Sequence, residues 1–295
     1  MIVSKLGSRI ATIFTVIIIS SSLMISSGNY AFAHNFAPNE SAQFLGLMQL
    51  IESEINLVKS ISSNDTKSAN SHADVAINVL TPTIIKEIQE RNKRVANDLT
   101  SSLKDLSEYV STENKSIINN EELTSKIDNI NAIIGETISA RIDPEQMNNI
   151  TIKALSFAGI MDKILENYGD AFAVGFDMTN MSNMGGMSMG NDSSMGGMSM
   201  GNDSGKNNAI QNMTAYQTAL ALAEKSKEIY NTEIKPAIPA NSTASSISTL
   251  EEGLIQLDSS IKNKSAPMDV MMIVHGKIHP NLLTIFNLPL VSQQR

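Results

Sequence analysis

The sequence has no cysteine, and that absence alone excludes disulfides, thiolate metal centres, thiol nucleophiles and c-type haem attachment. Tryptophan is also missing. Aromatic residues make up only 4% of the 295 positions, too few for the stacking platforms that read sugars or bases. Positive charge is short as well: 22 Lys and Arg stand against 30 Asp and Glu, a formal charge of −8. This balance disfavours nucleic acid and anionic membrane as partners and favours cations. Catalytic frames are absent too. There is no His-Glu-x-x-His zinc motif, Walker loop, Rossmann fingerprint or Gly-x-Ser-x-Gly elbow, and no Glu-x-x-His of a di-iron bundle. The sequence therefore points away from an enzyme. With 42% hydrophobic and 18% charged residues, the chain has the balance of a globular protein of one or two domains.

The only long apolar run lies at the start. Lys5 and Arg9 precede the stretch Ile10–Ile25, and Ala31-Phe32-Ala33 follows as a small-x-small cleavage pattern, so residues 1–33 read as a secretory signal. The run is short for a bilayer span, which needs about 20 residues. An exported protein outside the cytoplasm is expected, secreted or at the cell surface, with no span in the mature chain. Cleavage after Ala33 would leave His34 at the new terminus, where the amino group and ring Nδ1 can chelate one ion. Ten Asn-x-Ser/Thr sequons, at Asn39, Asn64, Asn114, Asn149, Asn180, Asn191, Asn202, Asn212, Asn241 and Asn263, fit an exported glycoprotein.

Apolar residues recur at helical spacing almost everywhere, and no segment sustains strand alternation. Ser41–Ile61 carries Phe44, Met48, Ile51, Ile55 and Val58 on one stripe, with Ser41 as the cap. Further helices are predicted over Thr66–Leu80, Thr83–Val110 and Glu122–Ile142, then from Pro144 to Tyr168 with Gly169 closing. The pattern resumes over Asn207–Ile234 and Ser245–Ile261, and a last helix opens at Pro267 and runs to about His279, with Pro280 interrupting or restarting it. The expected fold is all-α: up-and-down bundles formed by residues 34–172 and 207–295, with residues 173–206 as a flexible insertion.

That insertion is the distinctive stretch. Met184–Ser194 is repeated almost unchanged as Met195–Gly205, and methionines fall at Met178, Met181, Met184, Met187, Met189, Met195, Met198 and Met200. The spacers are Gly, Ser, Asn, Asp and Thr, which build no core of their own. The thioethers are expected to stay unburied, so what remains is their chemistry. Thioether sulfur is a soft, uncharged donor suited to Cu(I), and it needs no deprotonation to bind. The Met-x-Met and Met-Gly-Gly-Met units resemble the Mets motifs of extracellular copper importers and copper-resistance proteins, a resemblance that covers this segment alone. It implies copper as the bound ion and a copper enzyme or importer as the partner. The signal, the His34-Asn35-Phe36 start, the Asn/Ser-rich helices and the many sequons are similar in style to exported helical proteins of ammonia-oxidising archaea, whose extracytoplasmic metabolism leans on copper. The competing reading of the tract is a plain flexible linker.

A second cluster lies near the C-terminus. Met268, Met272, His275 and His279 share one helical stripe, with Met271 one turn before His275, and sulfur with imidazole on one face suits copper. His72, among small residues, reads as a satisfied core histidine. The sequence thus predicts an exported copper-binding protein that buffers, stores or delivers the metal. The alternatives are a structural surface glycoprotein with a Met-rich hinge and, more remotely, a Met/His-ligated haem bundle using Met48 and His275.

Overall fold

A computed structural model describes residues 39–112, 118–179 and 209–289, and among them every regular element is helical. The fold is all-α. Eleven helical stretches follow one another: α1 Glu40–Ile61, α2 Thr66–Asn78, α3 Pro82–Arg91, α4 Lys93–Thr112, α5 Asn120–Arg141, α6 Pro144–Met147, α7 Ile150–Ala171, α8 Met213–Ile229, α9 Ala244–Lys262, α10 Pro267–Ile273 and α11 His279–Phe286. None of the described helices is long and apolar enough to cross a membrane.

Polar side chains set most of the starts. Asn39, Asn119, Asn149 and Asn212 each stand one residue before a helix, and each accepts a bond from a backbone N–H of the first turn. Three of these, Asn39, Asn149 and Asn212, are sequon asparagines, so capping accounts for part of the sequon pattern. Ser41, expected as the first cap, lies instead inside the first turn, buried, and donates 2.7 Å to Gln146 Oε1. Pro82 and Pro144 open helices at the position where a missing N–H costs nothing. The single helix predicted over Thr83–Val110 is broken at Asn92, whose backbone turns extended while its side chain caps α4 at Val95 N. The predicted Pro144–Tyr168 helix is likewise broken where Asn149 caps α7.

Helix α7 is the axis of the bundle. Residues on nearly every side of it are buried, and it packs against α1, α8 and the last helices. Helix α1 lies against α2, α5, α7 and α8, while α4 bridges α2, α3 and α5. On the other side, α9 packs against α8 and the C-terminal rod. Helices from before residue 180 and after residue 208 contribute to one continuous apolar core.

Two π turns mark this architecture, Tyr230–Ile234 after α8 and Val274–Ile278 between α10 and α11. Each ends with an N–H bonded five residues back, Lys235 to Tyr230 and His279 to Val274, and each is followed one residue later by a proline, Pro236 or Pro280. A proline ring collides with the carbonyl four residues before it. Widening the turn by one residue moves that carbonyl aside, so the helix runs on through Pro280 instead of stopping. Residues 267–286 form one unbroken rod.

Candidate metal site at the foot of the methionine tract

The wide turn decides which side chains of this rod face inward. In a regular helix, residues four apart drift by about 40° per step. The π turn cancels that drift, so Val270/Met271, Val274/His275 and Ile278/His279 are buried as consecutive pairs, with Leu282 after them. Met271, His275 and His279 therefore point into the bundle. Met272, expected on the same stripe as the histidines, is 48% exposed and faces away from them. Met268 is half-buried and packs at the edge of the core.

The inward histidines meet α7 and the segment that follows it. Helix α7 ends in a Schellman motif: Val174 N bonds Gly169 O at 2.9 Å, Ala173 N bonds Asp170 O at 3.2 Å, and Ala173 sits in the left-handed region at φ 52°. This reversal carries the chain back over α7 and lays Met178 against Gly169. A Cβ on Gly169 would stand 3.1 Å from Met178 Sδ, so glycine there makes the seat for the thioether. Met178 is 2% exposed. The first methionine of the tract is thus a core residue, which corrects the expectation that all the tract thioethers stay unburied. The other seven, Met181, Met184, Met187, Met189, Met195, Met198 and Met200, lie outside the described residues, as does His34.

Two further contacts tie the tract's ends to the bundle. Met178 O accepts a hydrogen bond from His275 Nε2 at 2.9 Å. On the returning side, Gln211 N and Asn212 N both bond Ala171 O, at 2.7 and 3.2 Å. The described residues on either side of residues 180–208, Met178 before them and Gln211 and Asn212 after them, are therefore held near the C-terminal end of α7. At the outgoing stem Asp177 Oδ1 accepts from Thr179 N and Oγ1, a local turn that fixes the last described residues.

The histidine rings stand edge to face, with centroids 5.5 Å apart and planes at 69°. His279 Nε2 lies 3.7 Å from Asp162 Oδ1 of α7, within ion-pair reach but beyond a hydrogen bond. Asp162 is the residue that sequence reasoning missed. It occupies the row Leu155–Ala158–Asp162–Leu165–Gly169, and a charged residue on an otherwise apolar row was the available signal. Its side chain is 13% exposed, and neither carboxyl oxygen accepts a hydrogen bond among the described residues. Burial pushes its carboxyl well above the usual carboxylate range; Lys163 opposes this, while Asp177 and Glu166 reinforce it. Among the described residues, no three His, Asp or Glu side chains are placed to hold one ion.

No family model matches this chain. No curated protein and no solved structure matches it either.

The remaining histidine lies elsewhere in the core. His72 Nδ1 is 2.6 Å from Glu54 Oε2 and its Nε2 is 3.0 Å from Gln217 Oε1, while Thr218 Oγ1 donates 2.7 Å to Glu54 Oε1. Both ring nitrogens are engaged, and the residues involved come from α1, α2 and α8. Burial of the ring opposes its charge. The hydrogen bonds to Glu54 and Gln217, with the Glu54 charge, outweigh burial and raise its pKa above 6.5. His72 is a structural histidine. Met48, the haem candidate on α1, is wholly buried in the same core.

Proposed function

We propose that this is an exported copper-binding protein that captures Cu(I) on its methionine tract and buffers or delivers it outside the cytoplasm. The observation that carries the reading is the anchoring of the tract. Its first methionine, Met178, is seated against Gly169 of α7 with its carbonyl bonded to His275, and Gln211 and Asn212, the described residues after the tract, are bonded to Ala171 at the end of the same helix. A bare linker needs no such seat, and a linker's first side chain has no reason to be buried. Repeated thioethers on Gly/Ser spacers can gather several soft donors round one ion at little strain, and Cu(I) is the first-row ion such donors favour. His34 would add a nitrogen site suited to Cu(II). A copper enzyme or importer is the fitting recipient, and the sequons and signal support a setting beyond the membrane.

The test is a titration of the mature chain with Cu(I) under reducing conditions, in competition with a chelator of known affinity. The reading expects retention of the ion by the natural chain and loss of most of it when the seven methionines from Met181 to Met200 become serine. Equal retention by both would leave a surface glycoprotein with a hinge.

A further inference from the structure

Six of the ten sequons fall on described residues, and the fold treats them very differently. A sequon is read through two groups, the Asn amide and the hydroxyl two residues on, so a surface loop that presents both is what modification needs. At Asn39 the hydroxyl is lost to the core: Ser41 is buried and donates to Gln146 Oε1, while Asn39 Oδ1 accepts from Ala42 N at 2.9 Å. Asn149 and Asn212 are exposed, but each caps a helix, accepting from Thr151 N at 2.9 Å and from Ala215 N at 3.1 Å. Their hydroxyl partners Thr151 and Thr214 are half-buried inside the first turns of α7 and α8. Asn263 closes α9, and its partner Ser265 is half-buried and pinned, with N bonded to Ser260 O at 2.9 Å and O accepting from Tyr168 Oη at 2.7 Å. At Asn64 the middle residue Asp65 is the cap of α2, bonded to Ser68 N at 3.0 Å and to Ser68 Oγ at 2.6 Å.

Asn241-Ser242-Thr243 differs from the other five. All three residues lie outside any helix, in the connection that follows Pro236 and Pro239, and both Asn241 and Thr243 are exposed. Asn241 is the third residue of a turn closed by Ser242 N on Pro239 O at 2.9 Å, so its side chain stands at the tip. Thr243 precedes α9, yet its hydroxyl caps no backbone N–H and meets only the exposed Ser246 Oγ at 3.0 Å. We infer that Asn241 carries an N-linked oligosaccharide. The donor is a lipid-phosphate-linked oligosaccharide of the exporting cell. A bond forms between Asn241 Nδ2 and the anomeric carbon of the sugar as the anomeric carbon–oxygen bond to phosphate breaks; the phosphate leaves with the electron pair, and Nδ2 gives up one proton. The inference rests on the export part of the proposed function and not on copper.

The position also gives the molecule two unlike ends. Tyr216 Oη donates to Ile261 O at 3.0 Å and Tyr168 Oη to Ser265 O, so the C-terminal end of α9 lies beside the end of α7 that seats Met178. The 19 residues of α9 separate that end from Asn241 by about 28 Å, so a sugar there leaves the methionine end uncovered.

The experiment takes the full chain from its natural host, reads its first residue and maps intact glycopeptides by mass spectrometry. The peptide with Asn241 should carry sugar and the peptide with Asn39 should not. Thr243→Ala should abolish that sugar and Thr243→Ser should keep it, while Asn241→Gln should retain Cu(I) as the natural chain does. A mature chain that begins at His34 with Asn241 unmodified overturns this site and leaves export and copper standing. Sugar on Asn39 as fully as on Asn241 overturns the selection by surface geometry. An uncut chain without sugar overturns export and this site together, and sugar at Asn241 on a chain that binds no copper keeps the site and ends the copper reading.

Discussion

Removing the Glu54 carboxylate should cost more than any surface change in the molecule, and the cost should depend on pH. Glu54 and His72 are both fully buried, 2.6 Å apart, and Gln217 and Thr218 complete their hydrogen bonding. Taking away one member of such a pair leaves a buried group without its counter-charge, which costs about 3–5 kcal/mol. For a chain of this size each kcal/mol moves Tm by about 2–4 °C, so Glu54→Ala should lower it by about 6–20 °C. Replacing both partners by leucine should restore most of that loss, because paired apolar groups are often no worse than a buried ion pair. The pH dependence follows from the raised pKa of His72. A raised folded-state pKa means the native state binds the proton more tightly than the unfolded state. The pair's contribution is then complete below the ordinary value of 6.5 and is lost as pH rises through the higher folded value. Thermal unfolding of the natural chain and of Glu54→Gln, across pH 6 to 9, isolates this effect as the difference between the two. A gap that stays constant with pH, or a Glu54→Ala loss below about 1 kcal/mol, would refute the reasoning.

Other consequences are simpler. A Cβ on Gly253 would stand 2.9 Å from Ile278 Cγ1 and 3.2 Å from Lys277 Cβ, whereas one on Gly135 meets nothing within 4 Å. By calorimetry Gly135→Ala should gain about 0.5–1 kcal/mol from helix propensity, and Gly253→Ala should lose up to about 2 kcal/mol because overpacking against the π turn outweighs that gain. Ala173→Gly should stabilise the C-terminal turn of α7 by about 1–2 kcal/mol in urea unfolding, since φ 52° is strained for alanine. Mild peroxide followed by peptide mass spectrometry should oxidise the exposed Met213 and Met272 while sparing the buried Met48, Met161, Met178 and Met271. Rapid oxidation of Met178 would contradict its seat on Gly169.

Helical periodicity made the all-α fold legible because apolar stripes such as Phe44–Met48–Ile51–Ile55 repeat with little interruption. Breaks were harder to see. Asn92 ends α3 and caps α4, and Asn149 caps α7 two residues after α6 stops, without any apolar gap to announce either break, and a cap depends on backbone geometry more than on pattern. The continuity of the last rod was not legible, because Pro280 signals either an interruption or a restart in sequence. The π turn over Val274–Ile278 absorbs that proline, and the same turn sends Met272 outward and Met271 inward. The two histidines themselves were legible from spacing, but Asp162 comes from over a hundred residues earlier, and only tertiary packing brings it to His279. Met178 shows the opposite limit: its neighbours in sequence promised exposure, and a glycine nine positions earlier gave it a place to be buried.

The central claim, that sulfur atoms of the tract hold copper, is tested most directly by X-ray absorption at the copper edge of the mature chain loaded with Cu(I) under reducing conditions. The account predicts a first shell dominated by sulfur, which disappears when Met181 through Met200 carry serine in place of methionine. A first shell of nitrogen and oxygen alone in the natural chain, or no copper retained to measure, would contradict it.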